Sequence, residues 1–164
     1  MKRDGLSFVR AVKALRDFAG AEADAPSAAA ADPAPELHPE RTAEELAVLD
    51  EVARYYTERL HNSPRALAYL ERRGVVAPGL IERFRLGFAD QSLVRVLPPK
   101  TTPEGEAKRA ILERLGILNQ GYEHFAASVV FPIMNDDGQI VGMYGRRISH
   151  PSRGKSPHRY LPGP

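Results

Sequence analysis

The stretch from Ile140 to Pro164 carries Arg146, Arg147, Arg153, Lys155 and Arg159, sets Tyr160 directly after Arg159, and contains no Asp or Glu. The whole chain is nearly balanced, with 23 Lys and Arg against 21 Asp and Glu, so this is a local excess of positive charge rather than a basic protein. Guanidinium groups suit phosphate because their planar fork donates two parallel hydrogen bonds. A tyrosine beside them adds a flat surface on which a base can stack, the combination that single-stranded nucleic acid favours. If three or four of these cations neutralise phosphates, binding should weaken with salt with a slope of roughly −2 to −3. Strand alternation would put Arg146 and Arg147 on opposite faces unless Gly145 introduces a bulge. The competing reading is a solvated basic tail, and five charges alone support only weak binding.

Other residue types offer less chemistry. The chain has no cysteine, which removes disulfides, thiolate metal sites and thiol nucleophiles together. His38, His61, His124, His150 and His158 do not fall at metal-ligand spacings. Asp136 and Asp137 lie in an Asn-Asp-Asp-Gly turn, where short polar side chains bond the local backbone. Gly142-Met143-Tyr144-Gly145 is not followed by the Lys-Ser/Thr of a phosphate loop. Tyr55, Tyr56 and Tyr69 fall at core positions of helices. Arg72, Arg73, Arg83 and Arg85 flank helix ends, where they favour the dipole. Tyr122 and Phe125 are expected to pack at the entry to a strand.

These groups must be positioned by a chain of 164 residues, enough for one ordinary domain, and its 43% apolar content is enough for a packed core. Leu6 to Phe18 has the spacing of a short amphipathic helix, with Phe8, Val12 and Leu15 on one face and Gly20 as its stop. Residues 21–40 turn to Ala, Pro and acid and read as a tether. Thr42 opens a strong helix with a capping box to Glu45 and an apolar stripe of Leu46, Leu49, Val52, Ala53, Tyr56 and Leu60. His61-Asn62-Ser63-Pro64 breaks it and starts a second helix that ends near Gly74. A third short helix begins at Pro78, Leu86 to Ala89 reads as a short strand, and Thr102 to Leu115 as a fourth helix stopped by Gly116. The period then changes to two. Ser128 to Met134 and Gln139 to Ile148 flank an Asp-Gly turn, a hairpin signal that puts Val129, Phe131 and Ile133 on one face. Helices first and strands last make an α+β pattern, short helices packed on a small antiparallel sheet. No apolar run approaches the ~20 residues of a membrane span, and the basic N-terminus is too interrupted by charge for a signal peptide. The absence of cysteine fits a reducing cytosol, and the protein is expected to be cytoplasmic.

Three segments in order, ALAYLERRGVVAPGLIERFRLGFA, LERLGILNQGYEHFAASVVFPIMNDDGQIVGMYGRRI and HRYLPGP, resemble the N-terminal half of the catalytic core of bacterial DnaG-type DNA primases. The resemblance covers about Leu46 to Pro164, and residues 41–164 are expected to form that subdomain. Residues 1–20 look like the helix that ends the family's zinc module. The resemblance implies a primase segment, acting in the synthesis of RNA primers on single-stranded DNA during replication. It would contribute a basic groove for single-stranded template and the primer–template hybrid. In the family the polymerase metals, Mg²⁺ or Mn²⁺, sit on carboxylates of a following TOPRIM subdomain. No cofactor is therefore expected in this chain, and by itself it should not polymerise. A TOPRIM-containing chain and a replicative helicase are the implied partners. The family's Gly-x-x-Gly-Arg arginine falls on Arg146, and its Lys-Tyr pair on Arg159 and Tyr160. One departure stands out: where the family carries an arginine just before the Phe-Pro-Ile strand, this chain has Ala127-Ser128-Val129. The alternatives are a stand-alone single-strand-binding module and a protein-interaction module, both without catalysis.

Overall fold

The structure, a computed structural model, describes residues 41–75, 77, 79–148 and 156–162. The amphipathic segment and tether expected over 1–40 lie outside the described residues. Within them the chain runs α1 (Ala43–His61), α2 (Pro64–Arg72), α3 (Leu80–Phe84), β1 (Gly87–Ala89), α4 (Leu93–Val96), α5 (Pro103–Arg114), β2 (Leu118–Asn119), β3 (Tyr122–Glu123), β4 (Ser128–Met134), β5 (Ile140–Arg147) and β6 (His158–Tyr160). Strands β1, β4, β5 and β6 form one antiparallel sheet in that order, and β2 pairs with β3 in a separate hairpin.

Local sequence chemistry sets most boundaries. The Thr42 hydroxyl accepts from Glu45 N–H and the Glu45 carboxylate accepts from Thr42 N–H, so two donors that the first turn would otherwise orphan are satisfied. Ser63 caps α2 with Pro64 at its first position, and Thr102 caps α5 with Pro103 in the same place. Helix α2 ends where Gly74 takes a left-handed conformation (φ 76°) and Val75 N–H reaches back to the Leu70 carbonyl, a Schellman-type closure. The third helix begins at Leu80 rather than Pro78, because Gly79 (φ 73°) reverses the chain just before it. Helix α4 and the β2–β3 hairpin do not show in the sequence pattern: both are too short for periodicity to register.

The sheet is covered on both sides. One face rests on α1, whose Val48, Leu49, Val52, Ala53 and Tyr56 enter a core with Ala89, Val130, Met143, Phe125 and Leu161. Each fully buried large side chain of that stripe contributes roughly 1.5–3 kcal/mol. The approach is close because Gly87 has no side chain: a Cβ there would lie 2.5 Å from Tyr56 Cβ. The other face is covered over β1 and β4, where Leu60 at the end of α1, Ala66 and Leu70 of α2 and Leu86 just after α3 pack on Phe88 and Val129, with Phe131 and Ile148 as half-buried neighbours. Among the described residues this cluster takes in no side chain of β6.

The β4–β5 hairpin has the expected residues at its turn, with a different agent holding it. Asn135 Oδ1 accepts from Gln139 N–H at 2.8 Å and its amide donates to Gln139 Oε1 at 2.9 Å, while Asp136 and Asp137 project into solvent. Gly138 (φ 78°) completes the loop, and the register slips by one residue next to it, between Ile133 and Met134. Away from the turn the pairing is regular to its end, Ser128 opposite Arg147. Gly145 introduces no bulge. Instead its missing side chain admits the Phe125 ring, which a Cβ would meet at 2.3 Å.

Candidate nucleic-acid interface

Regular pairing decides where each cation points. Residues directly opposite share a face. Arg146 lies opposite Val129 and His158, and Tyr144 opposite Phe131 and Tyr160. Arg147 lies opposite Ser128, and Arg159 opposite Gly145, on the face that carries the main core. The four described members of the basic set therefore divide in two: Arg146 and Tyr160 on the outer face, Arg147 and Arg159 on the inner one. Arg153 and Lys155 lie outside the described residues. A single convergent basic surface is not what the register builds; it builds two cationic sites back to back across one end of the sheet.

The outer site is a row of rings. Phe131 and Tyr144 have centroids 5.6 Å apart, Tyr144 and Tyr160 5.0 Å, and Tyr144 and His158 5.8 Å with planes at 25°. Tyr160 closes the row at the sheet's edge strand and keeps 54% of its surface exposed. Arg146 reaches across to His158, and its N–H donates to the imidazole Nε2. That requires a neutral ring with its proton on Nδ1, from which it donates to the Tyr144 hydroxyl at 2.6 Å. Burial, then the neighbouring Arg146 charge, hold the His158 pKa below its ordinary value. Tyr144 is pushed up, mainly by burial, and stays a neutral phenol. Phe131, Tyr144 and His158 are absent from the basic set read off the sequence. Counting outward from the Asp-Gly turn would have paired Tyr144 with Phe131; nothing local could have placed β6 beside them.

The inner site is held by the β2–β3 hairpin. Glu123, nearly buried at the end of β3, accepts from Leu93 N–H at 2.8 Å and from the Tyr56 hydroxyl at 3.3 Å. It thereby ties the hairpin to α4 and α1. Burial raises its pKa, and those two donors oppose the rise. The next residue, His124, donates from Nε2 to the Tyr160 carbonyl at 2.9 Å, and its own carbonyl accepts from the Arg159 guanidinium. Phe125 follows, completely buried under Gly145. Three consecutive residues thus fix the place of β6. Tyr122, expected to pack with Phe125, instead stands 78% exposed at the hairpin tip.

Charge is distributed unevenly over the molecule. Arg59 pairs with Asp90 at 2.7 Å, Arg85 with Asp50 at 2.5 Å, Lys108 with Glu51, and Arg114 with Glu45 at 3.1 Å. All four lie around α1. Arg146, Arg147 and Arg159 make no ion pair among the described residues. Cations that fold stability has not neutralised are free to meet a phosphate. No group of three or more His, Asp or Glu able to hold a metal ion is found among the described residues. No helix among the described residues is long and apolar enough to cross a membrane.

Fold and site together define an α+β domain whose sheet ends in an aromatic row flanked by guanidinium groups that make no ion pair among the described residues. A family model, the N-terminal domain of the DNA primase catalytic core, matches residues 55–164, and the chain belongs to that family. The DNA primase of Haemophilus influenzae is 28% identical over 154 residues, covering 91% of this chain and 26% of that protein. The crystal structure of the zinc-binding and RNA polymerase domains of Aquifex aeolicus primase superposes with a TM-score of 0.58 at 30% identity, over 73% of this chain and 29% of that one. A DnaG primase catalytic domain bound to single-stranded DNA gives a TM-score of 0.57 at 27% identity, over 72% and 37%. This chain spans about a quarter of the length of the curated primase it matches in Haemophilus.

Proposed function

We propose that this chain is the nucleic-acid-gripping part of a DNA primase, holding single-stranded template, and the primer paired to it, on the outer face of β5 and β6. The observation that carries this is the row Phe131, Tyr144, Tyr160 with Arg146 beside it, running from Phe131, half-buried against the apolar cluster of that face, out to Tyr160, which is 54% exposed. Bases stack on the rings and Arg146 takes a phosphate; the sheet supplies the rigid spacing. In this proposal nucleotidyl transfer belongs to a TOPRIM-containing part that binds Mg²⁺ or Mn²⁺, joined to this chain or supplied in trans, with a replicative helicase delivering the strand. The setting is the cytoplasm, where replication takes place in bacteria.

The test has two parts. The purified chain should bind a labelled oligo(dT) with an affinity that falls as salt rises, and should make no primer from NTPs with Mg²⁺ or Mn²⁺. Addition of a TOPRIM-containing primase part that lacks this domain should restore primer synthesis. Oligonucleotide affinity indifferent to salt, or primer synthesis by the chain alone, would overturn the proposal.

A further inference from the structure

A groove lies among α1, α4 and α5 and shares no residue with the aromatic row. Its volume is about 260 Å³, below the range that usually holds a small-molecule ligand. A space of that size suits the side chains of a helix laid across it. Tyr55, Leu93, Val96 and Leu97 form part of its apolar lining, and Val96 keeps 60% of its surface in water. That exposure is built in, because α4 is pinned where it starts. The Tyr55 and Ser92 hydroxyls are 2.6 Å apart, and Leu93 N–H donates to the Glu123 carboxylate at 2.8 Å.

The rim of the groove is charged. Glu51 and Lys108 neutralise each other in an ion pair. Glu58 and Glu104 make no ion pair among the described residues, and neither does Arg54. Two open carboxylates against one open guanidinium leave a small negative excess around an apolar floor. The occupant that matches is an amphipathic segment with a net positive charge.

This chain contains one. Phe8, Val12 and Leu15 fall at the spacing of one helical face, and between Phe8 and Phe18 the cations Arg10, Lys13 and Arg16 outnumber the single acid, Asp17. Residues 21–40 join that segment to α1, and twenty residues can reach up to about 70 Å. The groove lies only about 12–23 Å along α1 from Ala43, so the connection is long enough. Attachment through such a connection also raises the effective concentration to the order of millimolar, at which a weak contact is well populated. We propose that the segment from Phe8 to Phe18 docks in this groove of its own chain, with its apolar stripe against α4 and its cations meeting Glu58 and Glu104. The inference does not depend on how the outer face of the sheet is used.

The absence of cysteine supplies a clean test on the whole chain, since Ser7→Cys gives a single point of attachment for a nitroxide spin label. The label should broaden the methyl NMR signals of Val96 and Leu97 and leave Leu70 and Ile81, in the cluster on the other face of the sheet, sharp. Adding Leu15→Glu to the labelled chain should abolish the broadening without touching the groove itself. Glu58→Lys together with Glu104→Lys should reduce it, and so should a rise in salt. Unbroadened Val96 and Leu97 signals, or broadening that survives Leu15→Glu, would overturn the proposal. So would broadening of equal size in a mixture where the label is on one set of molecules and the observed methyl groups on another, which would make a second copy the occupant.

Discussion

Replacing Tyr160 by alanine separates stacking from charge. The ring lies at the edge of the sheet, packed on one side against Tyr144 at 5.0 Å and otherwise 54% exposed. With one side taken it offers a surface to a single base, and one base–aromatic stack contributes about 1–3 kcal/mol. Tyr160→Ala should therefore weaken oligo(dT) binding by about 5- to 160-fold, while thermal stability changes little because more than half of the side chain is already in water. No cation is lost, so the dependence of affinity on salt should keep its slope. Arg146→Ala should do the reverse: it removes one phosphate contact, and the slope of log affinity against log salt should become shallower by about 0.7. Fluorescence anisotropy with a labelled oligo(dT), repeated at four or five salt concentrations for each variant, measures both quantities. A Tyr160→Ala chain that binds as tightly as the original, or one whose salt slope changes while that of Arg146→Ala does not, would refute the division of labour.

Three further outcomes follow from the packing and the titrating groups. Gly145→Ala drives a methyl into the Phe125 ring, which is fully buried and has nowhere to move, and should cost about 1–3 kcal/mol in a denaturant melt; an unchanged midpoint would mean that the ring does not sit there. Because the fold raises the Glu123 pKa, that carboxyl favours the folded state below its unfolded value near 4.5 and loses this advantage as pH rises through the folded one. Relative to Glu123→Gln, the unaltered chain should therefore lose stability in that window as pH rises, and parallel urea-unfolding curves across it would contradict the buried position. His158 has a lowered pKa, so its contribution is present above about pH 6.5 and is lost as pH falls through the folded value. Below it the imidazole no longer accepts from Arg146, and oligo(dT) affinity should rise; His158→Gln should flatten this rise, and an unaltered profile would place the released charge elsewhere.

Much of the fold was legible in the chain because it is written in local chemistry. Thr42 with Glu45, Ser63 with Pro64 and Thr102 with Pro103 are self-contained cap signals, and the structure starts α1, α2 and α5 at each of them. The Asn-Asp-Asp-Gly turn between two period-two stretches announced the hairpin, although Asn135 rather than the aspartates holds it. The order of the segments also pointed to the primase family, and the family match bears that out. Leu86 to Ala89 announced the short strand β1, whereas α4, β2 and β3 escaped notice, since they are shorter than any period that could reveal them.

The amino-acid sequence by itself determined that Ile140 to Pro164 is basic, acid-free and ends beside a tyrosine, because composition needs no coordinates. Only the tertiary structure decided what those charges do. β6 pairs with β5 through a connection too long to set register locally, and a shift of one residue would have exchanged every face. The register that Glu123, His124 and Phe125 enforce puts Tyr160 and Arg146 with the rings and Arg159 and Arg147 with each other. Local signals act over a few bonds, whereas this choice is made by side chains that lie some thirty-five residues away in the chain, as His124 does from Arg159.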